Sequence, residues 1–327
     1  MLSFLLFTIV EILIVFTVVL MIVAYMTLME RKVLGHIQVR FGPNRVGPFG
    51  LFQPLADGLK LIFKEDIVVP HANKYIYIFA PTVIVITALL CFAVIPYGDR
   101  ITLFGYNFDL VIADVNVGLL YLFAISSLGV YGVAMGGWAS NNKYSLLGAI
   151  RSSAQMISYE LPLGLSVIGV IMIAGSLSTV KIVEAQSAMW FIVYQPLGFL
   201  IYLISAFAEC SRTPFDLTEC ENELVAGYQT EYSSMKFGFY YLGEYTHMLV
   251  VSCLAVTLFF GGWQGPFLPP VLWFLIKTFC FVFLFIWVRA TYPRLRYDQL
   301  MKFGWKVLFP LSLLNIMVTA AVLVFLG

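Results

Sequence analysis

The chain has 327 residues, of which 61% are hydrophobic and only 11% charged, with a formal net charge of +1. A soluble domain carries roughly 25% charged residues, so a water-soluble globular fold is excluded. The net charge by itself says nothing about nucleic acid, but no basic, aromatic-rich patch is evident, and no nucleic-acid partner is expected.

Apolar segments of about 20 residues recur along the chain, each long enough to cross the hydrocarbon core as a helix. They predict spans at 2–29, 75–97, 115–138, 153–175, 188–208, 236–261, 270–290 and 303–326. The fold class is therefore all-α, a polytopic transmembrane bundle of about eight helices, with 1–327 as a single transmembrane domain. The apolar/polar alternation of barrel strands is absent. The first segment lacks a basic start and a small-residue cleavage site, so it reads as a span and not a removed signal. Five cysteines (Cys91, Cys210, Cys220, Cys253, Cys280) form no C-x-x-C pair and have no nearby His at ligand spacing. No metal or iron–sulfur centre held by this chain is expected.

Sixteen Lys and Arg residues lie in or beside the odd-numbered loops, against Arg100 and Lys181 in the even ones. Such asymmetry places the odd loops inside and both termini outside. Loops one and five are long for helical connections, and long ordered loops are usually functional.

Loop one opens with Glu30-Arg31-Lys32 and continues as R-x-G-P-N-x-x-G-P-x-G from Arg40 to Gly50. Its Gly-Pro pairs are turn signals that argue for a fixed backbone. From Leu51 an amphipathic helix follows, with Leu51, Leu55, Leu59 and Ile62 on one face and Gln53, Asp57, Lys60 and Lys64 on the other. Such a helix lies at the membrane surface or tucks under the bundle. The segment reads either as a solvated, positively charged anchor or as a polar chamber with Arg40, Arg45 and Asp57 near its mouth.

Loop five, Glu209 to Tyr232, holds six acids (Glu209, Asp216, Glu219, Glu221, Glu223, Glu231) and one base, Arg212. Apolar Phe215, Leu217, Leu224, Val225, Tyr228 and Tyr232 interrupt the acids, which does not suit a disordered acidic tail. Carboxylates folded close together cannot all ionise, so such a cluster can hold and pass protons. Glu160 and Glu244 lie inside spans four and six, where ionisable groups are costly and are functional candidates. Pro162 is expected to disturb the helix beside Glu160. His247 shares a helix face with Glu244; its plainer reading is a structural hydrogen bond between helices. Glu11 and Lys277, toward the outer side, read equally as structural or functional. These residues alone describe a proton-conducting or proton-coupled membrane protein with an ordered inner-face chamber. A secondary transporter fits that description too, although no internal repeat is evident.

Five stretches carry a resemblance: Glu30–Glu65, Gly137–Glu160, Glu209–Tyr232, Gly243–Tyr245 and Arg289–Gln299. There the chain resembles the H subunits of NADH–quinone oxidoreductase, called NADH dehydrogenase subunit 1 in mitochondria, the membrane component of respiratory complex I beside the quinone site. Span number and inside loops agree, and the resemblance covers essentially the whole chain. GGWQGP, Gly261 to Pro266, is closer to bacterial members, which implies the bacterial inner (cytoplasmic) membrane over the mitochondrial one. The resemblance implies a quinone chamber closed by loops one and five against peripheral-arm subunits, with Arg40, Arg45, Asp57, Phe215 and Asp216 at the quinone site. It implies a proton path through Glu30, Glu160, Glu209, Glu219, Glu221, Glu223, Glu231 and Glu244 toward other membrane subunits. Quinone is then the substrate, and FMN and iron–sulfur clusters belong to partner subunits, with no cofactor, catalytic residue or metal ligand in this chain. Cys220 and Asn222 depart mildly from the family pattern. The equivalent component of a membrane-bound hydrogenase or formate hydrogenlyase is the alternative.

The charge asymmetry makes a direct prediction. In sealed vesicles, a cysteine introduced as Asn44→Cys reacts with an impermeant maleimide only from the inner side; labelling confined to the outer side overturns the orientation.

Overall fold

A computed structural model of the chain describes residues 2–103, 106–216 and 225–326. Helix α1 (Leu2–Ile37) is followed by a surface helix α2 (Gln53–Phe63) and by α3 (Lys74–Leu90). A short antiparallel hairpin, β1 (Arg100–Leu103) with β2 (Tyr106–Asp109), pairs Arg100 with Asp109. Next come α4 (Gly118–Ala139), α5 (Lys143–Ala174) and the short α6 (Thr179–Ala185). Helices α7 (Phe191–Tyr194), α8 (Pro196–Glu209) and α9 (Ser234–Phe259) follow. The chain closes with α10 (Pro270–Thr291), α11 (Tyr297–Phe303) and α12 (Phe309–Leu326), the last two joined through a π-turn at Gly304–Leu308. Among the described residues, seven helical segments are long and apolar enough to cross a membrane. The chain is a multi-pass membrane protein.

The span predicted at 188–208 takes a different form. It is split into the four residues of α7 and the fourteen of α8, which alone reach only about 21 Å. Gln195 precedes Pro196, whose ring disfavours helical geometry in the residue before it. The break is stitched from the side: Gln195 Nε2 donates to Thr319 Oγ1 at 2.7 Å, and Asn315 Nδ2 donates to Gln195 Oε1 at 2.9 Å.

Two helices exceed their predicted spans. Helix α1 runs through Glu30-Arg31-Lys32 to Ile37, because these residues are good helix formers. Helix α5 begins at Lys143, where the Asn142 side chain accepts from Tyr144 N and caps it. Contrary to expectation, α5 continues unbroken through Pro162. Neighbouring helices supply the packing that tolerates proline in lipid.

The odd loops meet at one end of the bundle. Asn73 N donates to Ala139 O, Ile67 N to Ser233 Oγ and Leu295 N to Pro214 O. The expected order in loop one is present: Gly50, at φ +75°, lies so close against Pro43 O that no side chain fits there. Its helix α2 packs on α1 and α9. Asp57 faces the bundle while Leu55, Leu59 and Ile62 are exposed, an arrangement that offers the leucine face to lipid.

Helix α9 is the axis of the bundle, buried on nearly all sides from Met248 to Phe259. Enclosure by protein lets it carry Glu244 and His247, which a lipid-facing helix does not tolerate. At its outer end Lys277 Nζ donates to the carbonyls of Phe260, Gly262 and Gln264 at 2.7, 3.1 and 2.6 Å. It also lies over the Trp190 ring at 4.7 Å. All three ammonium protons are thus used to close a helix end, which gives Lys277 a structural role.

Lys277→Met leaves one buried and two part-buried carbonyls without their partner, the buried one at about 1–3 kcal/mol. The purified protein is expected to melt at clearly lower temperature, with Lys277→Arg intermediate; an unchanged melting curve overturns the capping role.

Candidate functional site

The end of the bundle where the odd loops meet is built around Arg212. Its guanidinium is buried in the segment after α8, with Nε 2.8 Å from Glu244 Oε1 and Nη1 3.4 Å from Glu30 Oε1. The Tyr245 ring lies under it at 4.4 Å, and the Tyr245 hydroxyl donates to Glu30 Oε2 at 2.8 Å. Arg289, in the last turn of α10, completes the pairing of Glu30. Beside this group Arg294 holds Asp216 at 3.0 Å. Three arginines therefore meet three carboxylates.

Taking these charges out of water is costly, and mutual pairing offsets the cost. Burial alone pushes the Arg212 pKa down; the carboxylates of Glu244 and Glu30 outweigh that effect and hold it above the ordinary value. At Asp216 burial dominates and raises the carboxyl pKa against the pull of Arg294, Arg289 and Arg212.

Two cavities flank this network. The larger, about 380 Å³, opens between α1, α2 and α9. Val23, Ala24, Leu61 and Phe237 give it apolar walls; Arg31, Asp57 and Tyr245 give it polar edges. Asp57 is paired with Arg31 at 2.5 Å and accepts from Gln53 Nε2 at 3.1 Å.

The smaller cavity, about 50 Å³, lies on the other side of the network between α3, α4, α5 and α9. Glu209, Glu244 and His247 line it together with Thr87, Ser126 and Ser211. At about 10–15 Å³ per water it has room for a few water molecules with polar partners. Glu209 Oε1 is 3.3 Å from His247 Nε2. Glu160 approaches from α5, close enough to interact electrostatically with both. Tyr245 ties the larger cavity to the charged network, because it borders that cavity and its hydroxyl holds Glu30.

The expected site residues divide accordingly. Glu30 and Glu244 meet on Arg212, and Glu209 and Glu160 gather around His247. Asp57 lines the larger cavity, whereas Arg40 and Arg45 are exposed and do not border it. Arg40 Nε instead donates to Gln38 Oε1 at 2.7 Å. Phe215 is a buried support: its ring packs on Tyr159 at 5.7 Å and its carbonyl accepts from Gln155 Nε2 at 2.9 Å. Glu231 stands apart, accepting from Asn142 Nδ2 at 2.5 Å. Tyr77, Tyr228, Tyr232 and Tyr240 pack into one cluster; the Tyr77 hydroxyl donates to Glu231 O, and Tyr228 and Tyr240 line the smaller cavity. Glu219, Glu221 and Glu223, with Cys220 and Asn222, lie outside the described residues.

Sequence reasoning gave no site role to Arg212, Tyr245, Arg289 or Arg294, and favoured the structural reading of His247. One signal was present for Arg212, the single base among six acids in its loop. Arg289 and Arg294 were indistinguishable from inner-face anchoring charges.

A sequence profile described as NADH dehydrogenase matches residues 10–320. The chain is 57% identical over 315 residues to the second of two NADH-quinone oxidoreductase H subunits of Geobacter sulfurreducens, covering 96% of each protein. It is 58% identical over 313 residues to the first such protein of Geobacter metallireducens, covering 96% of this chain and 95% of the relative. The second such protein of Syntrophobacter fumaroxidans is likewise 58% identical over 314 residues. Match and identity run along nearly the whole of a bundle whose charged end lies between two cavities, and the chain belongs to the NADH dehydrogenase family.

Proposed function

We propose that this chain is the H-type membrane component of a proton-pumping NADH:quinone oxidoreductase, the part that walls the quinone chamber and couples quinone reduction to proton translocation. The observation that carries the reading is the continuous contact from the larger cavity through Tyr245, Glu30, Arg212 and Glu244 to the smaller one. The relatives' shared name gives no support to the hydrogenase or transporter alternatives.

In this reading the larger cavity receives quinone from the bilayer between α1 and α2. Apolar walls suit an isoprenoid tail, and Arg31, Asp57 and Tyr245 suit a head group that needs hydrogen-bond donors. Electrons reach the quinone from FMN and iron–sulfur clusters in peripheral subunits. Arg40 and Arg45, exposed in loop one, then serve the chamber by contacting those subunits. Phe215 and Asp216 support it from beneath.

Reduction of a quinone takes up two electrons and two protons, so negative charge arrives near Tyr245 before protons neutralise it. Arg212 responds to that charge, and its hold on Glu244 changes with it. Glu244 then exchanges a proton with the smaller cavity, where Glu209 and Glu160 continue the path toward neighbouring membrane subunits. Glu219, Glu221, Glu223 and Glu231 belong to the loop that closes this route. The setting is the bacterial inner membrane, with the odd loops facing the cytoplasm.

Tyr245→Phe keeps the ring over Arg212 and removes the hydroxyl that bonds Glu30 and interacts with Arg212. Quinone reductase activity is expected to fall on the order of tenfold. NADH–ferricyanide activity, which ends upstream in other subunits, stays at wild type; an unaffected quinone rate overturns the role of Tyr245 as the tie between cavity and network.

Glu160→Gln and Glu244→Gln retain hydrogen bonding and lose titration. Both are expected to assemble and to lose most quinone-coupled proton uptake in inverted vesicles, while Glu→Asp at each position retains part. Wild-type pumping in both amide variants returns these residues to structural pairing.

A further inference from the structure

His247 is a largely enclosed titratable group, beside the acids of the path above, that the path leaves unused. It lies on α9 one turn beyond Glu244, and its side chain is 15% exposed. Its Nε2 faces Glu209 Oε1 at 3.3 Å and has no hydrogen bond of good geometry among the described residues. A second small void, bordered by Ser126, Leu163, Tyr202 and Leu254, lies behind the first. Among the described residues, Glu209 and His247 are the two ionisable residues that line both voids, with Ser126 beside them. These three side chains form the partition.

We propose that His247 is a proton-carrying residue of the path, exchanging a proton with Glu209 across this partition; the proposal rests on the coupling function given above. A protonated Glu209 carboxyl releases its proton to Nε2, leaving a carboxylate beside an imidazolium. The imidazolium passes the proton through the small cavity to the carboxylate of Glu244 or Glu160 and returns to neutral. No electron moves, and the proton count is unchanged. Imidazole suits this step because its ordinary pKa lies near neutral and its two nitrogens serve as donor and acceptor.

The surroundings are consistent with a group that changes charge. Glu209 faces it from the end of α8, Glu160 from α5, and Glu244 from its own helix with Arg212 behind. Cys210, Tyr228 and Tyr240 border the same cavity, and Tyr202 borders the second void. The cation nearest in the network, Arg212, is already engaged by Glu30 and Glu244, so the acids around His247 have no other paired base lining their cavity.

The test uses the whole complex in inverted membranes with His247→Asn and His247→Gln, which keep a polar side chain and cannot titrate. Both are expected to show wild-type NADH–ferricyanide activity, with quinone-coupled proton uptake lower on the order of tenfold. In redox-induced infrared difference spectra of complex carrying ring-¹⁵N-histidine, an imidazole protonation band present in wild type is lost in both variants. Wild-type proton uptake in either assembled variant overturns the proposal, and so does a wild-type spectrum without such a band. If neither variant assembles, the band is followed in Glu209→Gln, where losing its proton partner must shift it; an unmoved band overturns the proposal. Glu244→Gln in the same membranes separates the two levels. Full pumping there sinks the coupling function itself, whereas a pumping defect there beside normal His247→Asn sinks only the role of His247.

Discussion

The odd-loop end of this protein depends on one buried cation. Arg212 lies between Glu30 and Glu244, on the face of Tyr245. It draws together α1, α9 and the segment after α8, and through Glu30 it also engages α10. Removing one partner of such a group leaves an uncompensated buried charge, typically at about 3–5 kcal/mol. The cluster is therefore rigid in composition and sensitive to any new charge beside it. Those are the properties needed by an element that senses chemistry in one cavity and acts on another.

Placing that cluster required a helix that tolerates polar residues at membrane depth. Helix α9 meets the requirement by being enclosed, with α1, α3 and α10 packed around it. Lipid contact is left to helices such as α12, where Met317 and Val324 are exposed. The same packing leaves the small cavity, where Glu209, Glu244 and His247 converge. At the opposite end Lys277 closes three carbonyls, and Gln186 bonds Thr257 O, Gly261 N and Phe191 N. That end also carries a cavity of about 640 Å³ edged by Asp99, Asp114 and Glu184, but among the described residues no arginine cluster like that around Arg212 lies there.

Much of the architecture was legible in the chain itself. Bilayer thickness sets the length of apolar segments, so windows of hydropathy located the crossings, and the Lys/Arg asymmetry grouped the odd loops. The Gly-Pro turns of loop one announced an ordered backbone, and Glu160 and Glu244 stood out as charges in apolar surroundings. These are local properties, written within about 20 residues of where they act.

What tertiary structure decided is the pairing. Glu30, Arg212, Glu244 and Arg289 are scattered over most of the chain, and no spacing rule connects them. The same holds for Glu209 with His247 and for Gln195 with Asn315 and Thr319. Packing also chose which face of α2 meets the bundle, left Arg40 and Arg45 outside the larger cavity, and allowed α5 to pass Pro162 unbroken. Composition and periodicity report how each segment partitions between lipid and water. The partner of a buried charge is set by which helices touch and at what rotation, and that information exists only once the helices have packed.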